Sequence, residues 1–217
     1  QTFVDAGPTQ FVSTRGKGSD NASFLSVVRE GLSPDGGLYL PVKLPHLPKS
    51  LQHHLAHNEP SYHNTCLALF ERFADKKEVP PGVLQDMISN AYAKERWSGR
   101  EDVCPLTVLD ADKKTFVLEL YHGPTAAFKD FALQLFPHMF SLSTLGDGNE
   151  YMILAATSGD TGVAAISGFL NASPETKVMV LYPQRGVSPV QKVQMISLDG
   201  ESVRVVGVDS DFDFCQT

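Results

Sequence analysis

Lys129 and Asp130 stand where an extended apolar run gives way to a helical pattern. The stretch reads Val117-Leu118-Glu119-Leu120-Tyr121-His122-Gly123-Pro124-Thr125-Ala126-Ala127-Phe128-Lys129-Asp130-Phe131. The run from Phe116 to Leu120 stops at His122-Gly123-Pro124. Beyond it Phe128, Phe131, Ala132, Leu135, Met139 and Leu142 recur at helix spacing as one apolar stripe. With Thr125 as N-cap, Lys129 and Asp130 fall in the first turns, where the helix dipole favours an anion over a cation. Asp130 suits that position and Lys129 does not. A lysine so placed is more readily neutral and nucleophilic, which covalent capture of a carbonyl requires of an amine. For an arbitrary helical lysine the competing reading is a solvated surface side chain. Only a larger pattern displaces it.

A second chemical stretch, Ala156-Thr157-Ser158-Gly159-Asp160-Thr161-Gly162, follows the apolar run that starts at Tyr151 and opens another helical pattern. Backbone N–H groups at a helix N-terminus form an anion cradle, the hydroxyls add donors, and the glycines let a ligand come close. The competing reading is a turn without a ligand, capped by Asp160 or Thr161. The stretch is not a dinucleotide fingerprint, because G-x-G-x-x-G is absent. Two other patterns fail on spacing. Gly16-Lys17-Gly18-Ser19 has Phe11 where a phosphate loop needs glycine. His53 and His57 sit one helical turn apart, with His63 nearby. A zinc hydrolase would want Glu where His54 stands, and no third ligand is identifiable, so a solvated histidine cluster is the favoured reading.

Taken in order, the two stretches resemble the motifs of the threonine synthase family: His-Gly-Pro-Thr, two residues, Phe-Lys-Asp, and then Ala-Thr-Ser-Gly-Asp-Thr-Gly. Phe11-Val12-Ser13-Thr14-Arg15-Gly16 and Asp35-Gly36-Gly37-Leu38-Tyr39 match that family too, so the resemblance runs from about Phe11 to the last residue. It implies a fold-type II pyridoxal-phosphate enzyme. Lys129 would hold pyridoxal 5'-phosphate as a Schiff base and later move protons. Thr157, Ser158, Gly159, Asp160 and Thr161 would bind the carboxylate of an amino-acid substrate, with Phe128 and Asp130 in packing and orienting roles. The implied reaction converts O-phosphohomoserine and water to threonine and phosphate. A phospholyase variant releasing a 2-oxo acid, and a non-catalytic chain acting as a binding or signalling module, stay open beside it.

Departures within the motifs are small: Tyr121 where Phe is common, Ala126 where a larger residue often sits, and Val163 where a small one is usual. The larger departure is the absence of the family's later glycine-rich loop for the cofactor phosphate, and of its C-terminal polar residue facing the pyridine nitrogen. The resemblance therefore implies the N-terminal, Schiff-base part of such an enzyme, a truncated form. No metal site is expected.

The elements that must position these residues can be read along the chain. Ser23 to Glu30 predicts a short helix with Phe24, Val27 and Val28 inward and Gly31 ending it. Asp35-Gly36-Gly37 predicts a turn in which both glycines supply positive φ. Two helices follow, one with Tyr62, Cys66, Leu69, Phe70 and Phe73 as its stripe. The other carries Val83, Leu84, Met87, Ile88, Ala91 and Tyr92, and Pro80-Pro81 separates the pair. From about Val103 strands alternate with helices: Phe116–Leu120, the Lys129 helix with a kink at Pro137, Tyr151–Ala156, Lys177–Tyr182 and Val203–Val208. Ser188-Pro189-Val190-Gln191 is a capping box, and the last residues read as the first turn of a helix. The expected fold is α/β, a parallel twisted sheet with helices on both faces, preceded by a small mostly helical N-terminal lobe. The boundary is expected near residue 99, with 1–99 as the lobe and 100–217 as a partial cofactor-binding domain.

Composition bounds the partners. A net charge of −7 with no basic stripe argues against nucleic acid. No apolar run approaches the ~20 residues of a membrane span. Cys66, Cys104 and Cys215 are odd in number and lack any CxxC, which excludes a self-contained disulfide scaffold and fits a reducing compartment. The chain starts at Gln1 without a signal-peptide pattern, so a cytoplasmic location is the expectation, with secretion or organelle import of a processed form left open. The expected partner is a small phosphorylated amino acid, with neither nucleic acid nor membrane; homo-oligomer formation stays open.

Overall fold

A computed structural model describes residues 9–17, 21–47, 49, 52–53, 61–173 and 176–216. Gly18, Ser19, His54 and His57 lie outside the described residues. The chain divides into two compact units, Gln1–Asn90 with Leu142–Leu145, and Ala91–Ser141 with Gly146–Thr217.

In the first unit, β1 (Phe11–Ser13) pairs antiparallel with β2 (Tyr39–Pro41), Val12 opposite Leu40. Helix α1 (Phe24–Glu30) begins at Ser23, whose hydroxyl accepts from the Ser26 N–H, and ends at Gly31 with φ 68°. Phe24 is buried between the rings of Phe11 and Phe70 at 6.3 and 6.2 Å, as expected, while Val27 and Val28 are only half-buried. Helix α2 (Tyr62–Phe73) buries Cys66 but leaves Leu69 exposed, a narrower stripe than its spacing suggests. Helix α3 (Pro81–Ala91) buries Leu84, Met87, Ile88 and Ala91 and leaves Val83 exposed.

The turn before β2 is tied by one carboxylate. Asp35 accepts from the Ser13 hydroxyl at 2.6 Å and from the N–H groups of Gly37 and Lys17 at 2.9 and 3.0 Å. Those donors, Ser13 foremost, hold its carboxyl down at about 2. Only Gly36 has positive φ, at 75°. Gly37 is required for another reason: a Cβ there would overlap the Ser13 hydroxyl.

In the second unit β5 (Met152–Ala156), β6 (Lys177–Pro183) and β7 (Val203–Val208) form a parallel sheet in the order β5-β6-β7. Helices α6 (Asp160–Ala172) and α7 (Pro189–Ile196) make the crossovers. The alternate residues Val178, Val180 and Tyr182 of β6 are buried. They share one core with Val163, Ile166 and Phe169 of α6 and with Met195 of α7. Ser188 caps α7 by accepting from the Gln191 N–H, but the Gln191 side chain meets the Ser188 hydroxyl instead of a backbone N–H. The final helix α8 (Phe212–Gln216) starts at Asp211, which accepts from the Phe214 N–H. None of the three cysteines is in a disulfide, and no helix among the described residues is long and apolar enough to cross a membrane.

Two further expectations, beyond the positive φ at Gly37, are overturned. The strand ahead of Lys129 is not in the parallel sheet. β4 (Thr115–Leu118) pairs antiparallel with β3 (Leu106–Asp110) as a hairpin, with Phe116, Val117 and Leu118 exposed. A short apolar run does not reveal its partner, and a tight turn at Ala111–Lys114 captures it locally. The helix after Lys129 is broken rather than kinked, into α4 (Asp130–Leu133) and α5 (Phe136–Ser143). Pro137 has no N–H for the Leu133 carbonyl. That carbonyl instead lies against Gly168 of α6, where any Cβ would overlap it.

Two tests follow from these contacts. The folded-state value of Asp35 lies below the ordinary ~3.9 of an unfolded aspartate. Its contribution is therefore complete above about pH 4 and lost as pH falls through about 2. Asp35→Asn should flatten that part of the acid limb of the melting temperature. Gly168→Ala should cost about 3 kcal/mol in urea denaturation, the upper end for overpacking, since backbone rather than a flexible side chain stands in the way.

Candidate active site

The loop carrying Lys129 is folded around a buried carboxylate. Helix α4 begins at Asp130 rather than at Thr125, and Lys129 takes the N-cap position in helical conformation, φ −65° and ψ −19°. Thr125 is not the cap. Its N–H and hydroxyl both donate to the Asp130 carboxylate, at 2.9 and 2.7 Å. Asp130 is fully buried, and Gly123 lets it be so, because a Cβ on residue 123 would stand 2.5 Å from its Oδ2. Ala126 is held at φ 58°, a left-handed turn unusual for a residue with a side chain. Burial pushes the Asp130 carboxyl up, while the Thr125 donors and the Ala127 N–H pull the other way.

Residues from 92 to 97 brace this loop, and the sequence offered no spacing that linked them to it. The Tyr92 hydroxyl donates to the Phe131 carbonyl at 2.6 Å. The single tryptophan, Trp97, is fully buried and donates from Nε1 to the Ala91 carbonyl at 2.9 Å. Its ring lies 4.8 Å from that of Phe131. Arg96 donates to the side-chain oxygen of buried Gln134; burial lowers its guanidinium, and the Asp130 charge opposes that. A lone tryptophan was the one available signal, since a residue so large is rarely placed fully inside without a structural role.

The two motifs meet at one contact. Lys129 Nζ donates to Asp160 Oδ2 at 2.8 Å and lies 4.7 Å from the centre of the Phe128 ring. Both charged side chains keep about a third of their surface, 29% for Lys129 and 33% for Asp160. Phe128 is exposed under the ammonium and takes no part in the apolar stripe; Leu135 and Met139 do.

The second loop is built by Thr157. This residue is buried, and its Oγ1 accepts from the N–H groups of Gly159 and Gly162 at 2.9 and 3.0 Å. Helix α6 is thus capped from Thr157, with Gly159 at the N-cap position (φ 148°, ψ −83°) and no side-chain cap bond from Asp160 or Thr161. The glycines serve packing. Gly159 is also required by its backbone, φ 148°, with the Gln191 side chain where a Cβ would stand, and a Cβ on Gly162 would come within 2.8 Å of both Thr157 and Val180. Of the predicted loop residues, Thr157 and Gly159 are buried, Ser158 is exposed, and Asp160 and Thr161 are half-buried. Among the described residues the N–H groups of Ser158, Asp160 and Thr161 have no protein acceptor, so these, with the Ser158 and Thr161 hydroxyls, are the donors left for an anion.

Beside the loop, Glu119 joins the His122 ring and accepts from the Thr107 hydroxyl. Thr107 foremost, then His122, hold its carboxyl down at about 2. A cavity of about 330 Å³ is lined by Thr125, Ser167, Asn171 and Gln194 but includes neither Lys129 nor Asp160. No group of three metal-ligating side chains occurs among the described residues.

The fold of this chain is shared with solved threonine synthases. A PLP-bound threonine synthase from Brucella melitensis superposes with a TM-score of 0.84 and 38% identity, over 96% of this chain and 43% of that one. Yeast threonine synthase gives 0.83 and 33%, over 96% and 42%. In sequence, threonine synthase-like 1 of Homo sapiens is 37% identical over 227 residues, 99% of this chain. Threonine synthase of Saccharomyces cerevisiae is 33% identical over 214 residues, 94% of this chain. The family described as "Threonine synthase N terminus" matches residues 10–92. Over nearly its whole length the chain is similar to threonine synthases and threonine synthase-like proteins, and residues 10–92 match the model of that family's N terminus. The chain spans 30% and 41% of the length of those two relatives.

Thr157 can be tested apart from any ligand. Thr157→Val leaves two N–H groups without their acceptor, and each unsatisfied donor costs about 1–3 kcal/mol. A loss of about 2–4 kcal/mol in urea denaturation is expected, with Thr157→Ser retaining most of the stability.

Proposed function

We propose that this chain carries the lysine-bearing part of a pyridoxal-phosphate lyase of the threonine synthase type. The substrate is then a phosphorylated amino acid, O-phosphohomoserine, giving threonine and phosphate. The observation that supports this most is the contact between Lys129 and Asp160, which brings the amine of one motif onto the helix N-terminus of the other. The residues fit the cofactor's aldehyde chemistry: a half-buried primary amine on a rigid helix start, next to unsatisfied N–H donors.

When bound, pyridoxal phosphate supplies an electron-withdrawing ring that stores the electron pair left at a substrate carbon. Lys129 would hold the cofactor covalently through Nζ and afterwards take and return protons at the α and β carbons of the substrate. The N–H groups of Ser158, Asp160 and Thr161, with the two free hydroxyls, would hold the substrate carboxylate. Thr157 would act only by keeping the loop in shape. Asp130 and Thr125 would fix the backbone from which Lys129 projects. A phospholyase outcome, a 2-oxo acid in place of threonine, uses the same residues and differs in where water attacks. Three cysteines without a disulfide fit a reducing compartment such as the cytoplasm.

The test is chemical labelling. Borohydride reduction of the chain after loading with pyridoxal phosphate, followed by peptide mapping, should place the label on Lys129. A label on Lys17, Lys113 or Lys192 instead would remove Lys129 from its role.

A further inference from the structure

We propose that Asp160 is the counter-ion that holds the Lys129 amine at rest, and not a ligand of the substrate carboxylate. This rests on reading Lys129 as the reactive amine. Three observations carry it. The Asp160 carboxylate accepts from Lys129 Nζ at 2.8 Å, so its charge is directed at the lysine. It occupies the first position of the thirteen-residue helix α6, where the helix dipole favours an anion already present. A second carboxylate brought against it would meet like charge, whereas the N–H groups of the same turn carry no such penalty. The ammonium is also held from its other side, 4.7 Å from the Phe128 ring, a cation–π contact.

The consequence is a resting pair that must part before reaction. Capture of a carbonyl forms a C–N bond and expels the carbonyl oxygen as water. The nitrogen lone pair that makes this bond exists only after the ammonium has released its proton to solvent. Asp160 holds Nζ at 2.8 Å and the Phe128 ring covers it at 4.7 Å, so the amine must leave both contacts before it can meet a carbonyl. Asp160 is thereby a positioning residue that keeps the amine aimed at the α6 N-terminus and slows its first reaction.

Limited acetylation of the 217-residue chain with acetic anhydride at one fixed pH tests this without cofactor, reading Lys129 against exposed Lys113 by peptide mass spectrometry. Asp160→Asn should raise the labelling of Lys129 about tenfold, the factor that about 1.4 kcal/mol carries for a hydrogen bond to a charged group. Asp160→Glu should stay near wild type, which a general disturbance of the loop would not allow. Phe128→Leu should raise it about two- to fivefold. Unchanged or slower labelling in Asp160→Asn overturns the proposal. If that variant does not fold, as judged by its melting curve, an unchanged rate in Phe128→Leu overturns it instead. In the loaded protein, borohydride-trapped pyridoxal phosphate should accumulate on Lys129 faster in Asp160→Asn; slower trapping would make Asp160 a proton acceptor and also overturn the proposal. If wild type traps none at Lys129, the proposed function fails, and the acetylation rates still decide whether the pair holds the amine.

Discussion

The buried carboxylate of Asp130 is the constraint on which the lysine loop depends. An aspartate withdrawn from water must have its oxygens satisfied, and here the N–H and hydroxyl of Thr125 do so directly. That requirement bends the chain between Gly123 and Ala127, excludes a Cβ at residue 123 and holds Ala126 in a left-handed turn. It also moves the helix start from Thr125 to Asp130, leaving Lys129 at the boundary. Arg96 and Gln134 add a second layer of polar contacts behind the carboxylate, with Trp97 and Tyr92 packed on Phe131 beside it. A long flexible side chain acquires a defined origin only because so much of the backbone beneath it is committed.

The second motif works by the same economy of donors. Its threonine hydroxyl consumes two N–H groups to shape the turn, and its glycines exist because Gln191, Thr157 and Val180 fill the space a Cβ would take. Among the described residues, what is left for a ligand is smaller than the motif suggests: three N–H groups and two hydroxyls of the turn. This donor set is polar and neutral, the chemistry an anion needs. The aspartate within it is already engaged with the lysine. A charged pair of this kind, a third exposed on each side, is weak enough to separate and close enough to orient.

How much of this was legible in the sequence depended on the range of the interaction concerned. Local chemistry was readable: the cap at Ser23, the stop at Gly31, the proline-started helix after Ser188 and the last helix from Asp211 all formed where their residue types place them. The parallel strands over residues 152–156, 177–183 and 203–208 were equally plain as continuous apolar runs, although Met152, Leu154 and Val206 stay exposed on them. Lys129 and the loop from Thr157 to Thr161 were singled out by spacing and by resemblance to a known family.

Tertiary structure decided the rest, and it did so wherever a partner distant in the chain outcompeted a local preference. Thr125 has the chemistry of an N-cap, but a buried carboxylate claimed its donors, so the helix began later. Phe116–Leu118 has the pattern of a sheet-core strand, but the nearer partner was its own hairpin neighbour. Gly37 was expected to supply positive φ and Gly162 to let a ligand come close, and both proved to be space for neighbouring side chains. The ion pair of Lys129 with Asp160 crosses thirty-one positions of sequence. Periodicity describes which face of an element is apolar and says nothing of which side chain stands opposite. That information resides in packing, where the charge on Lys129 found its partner.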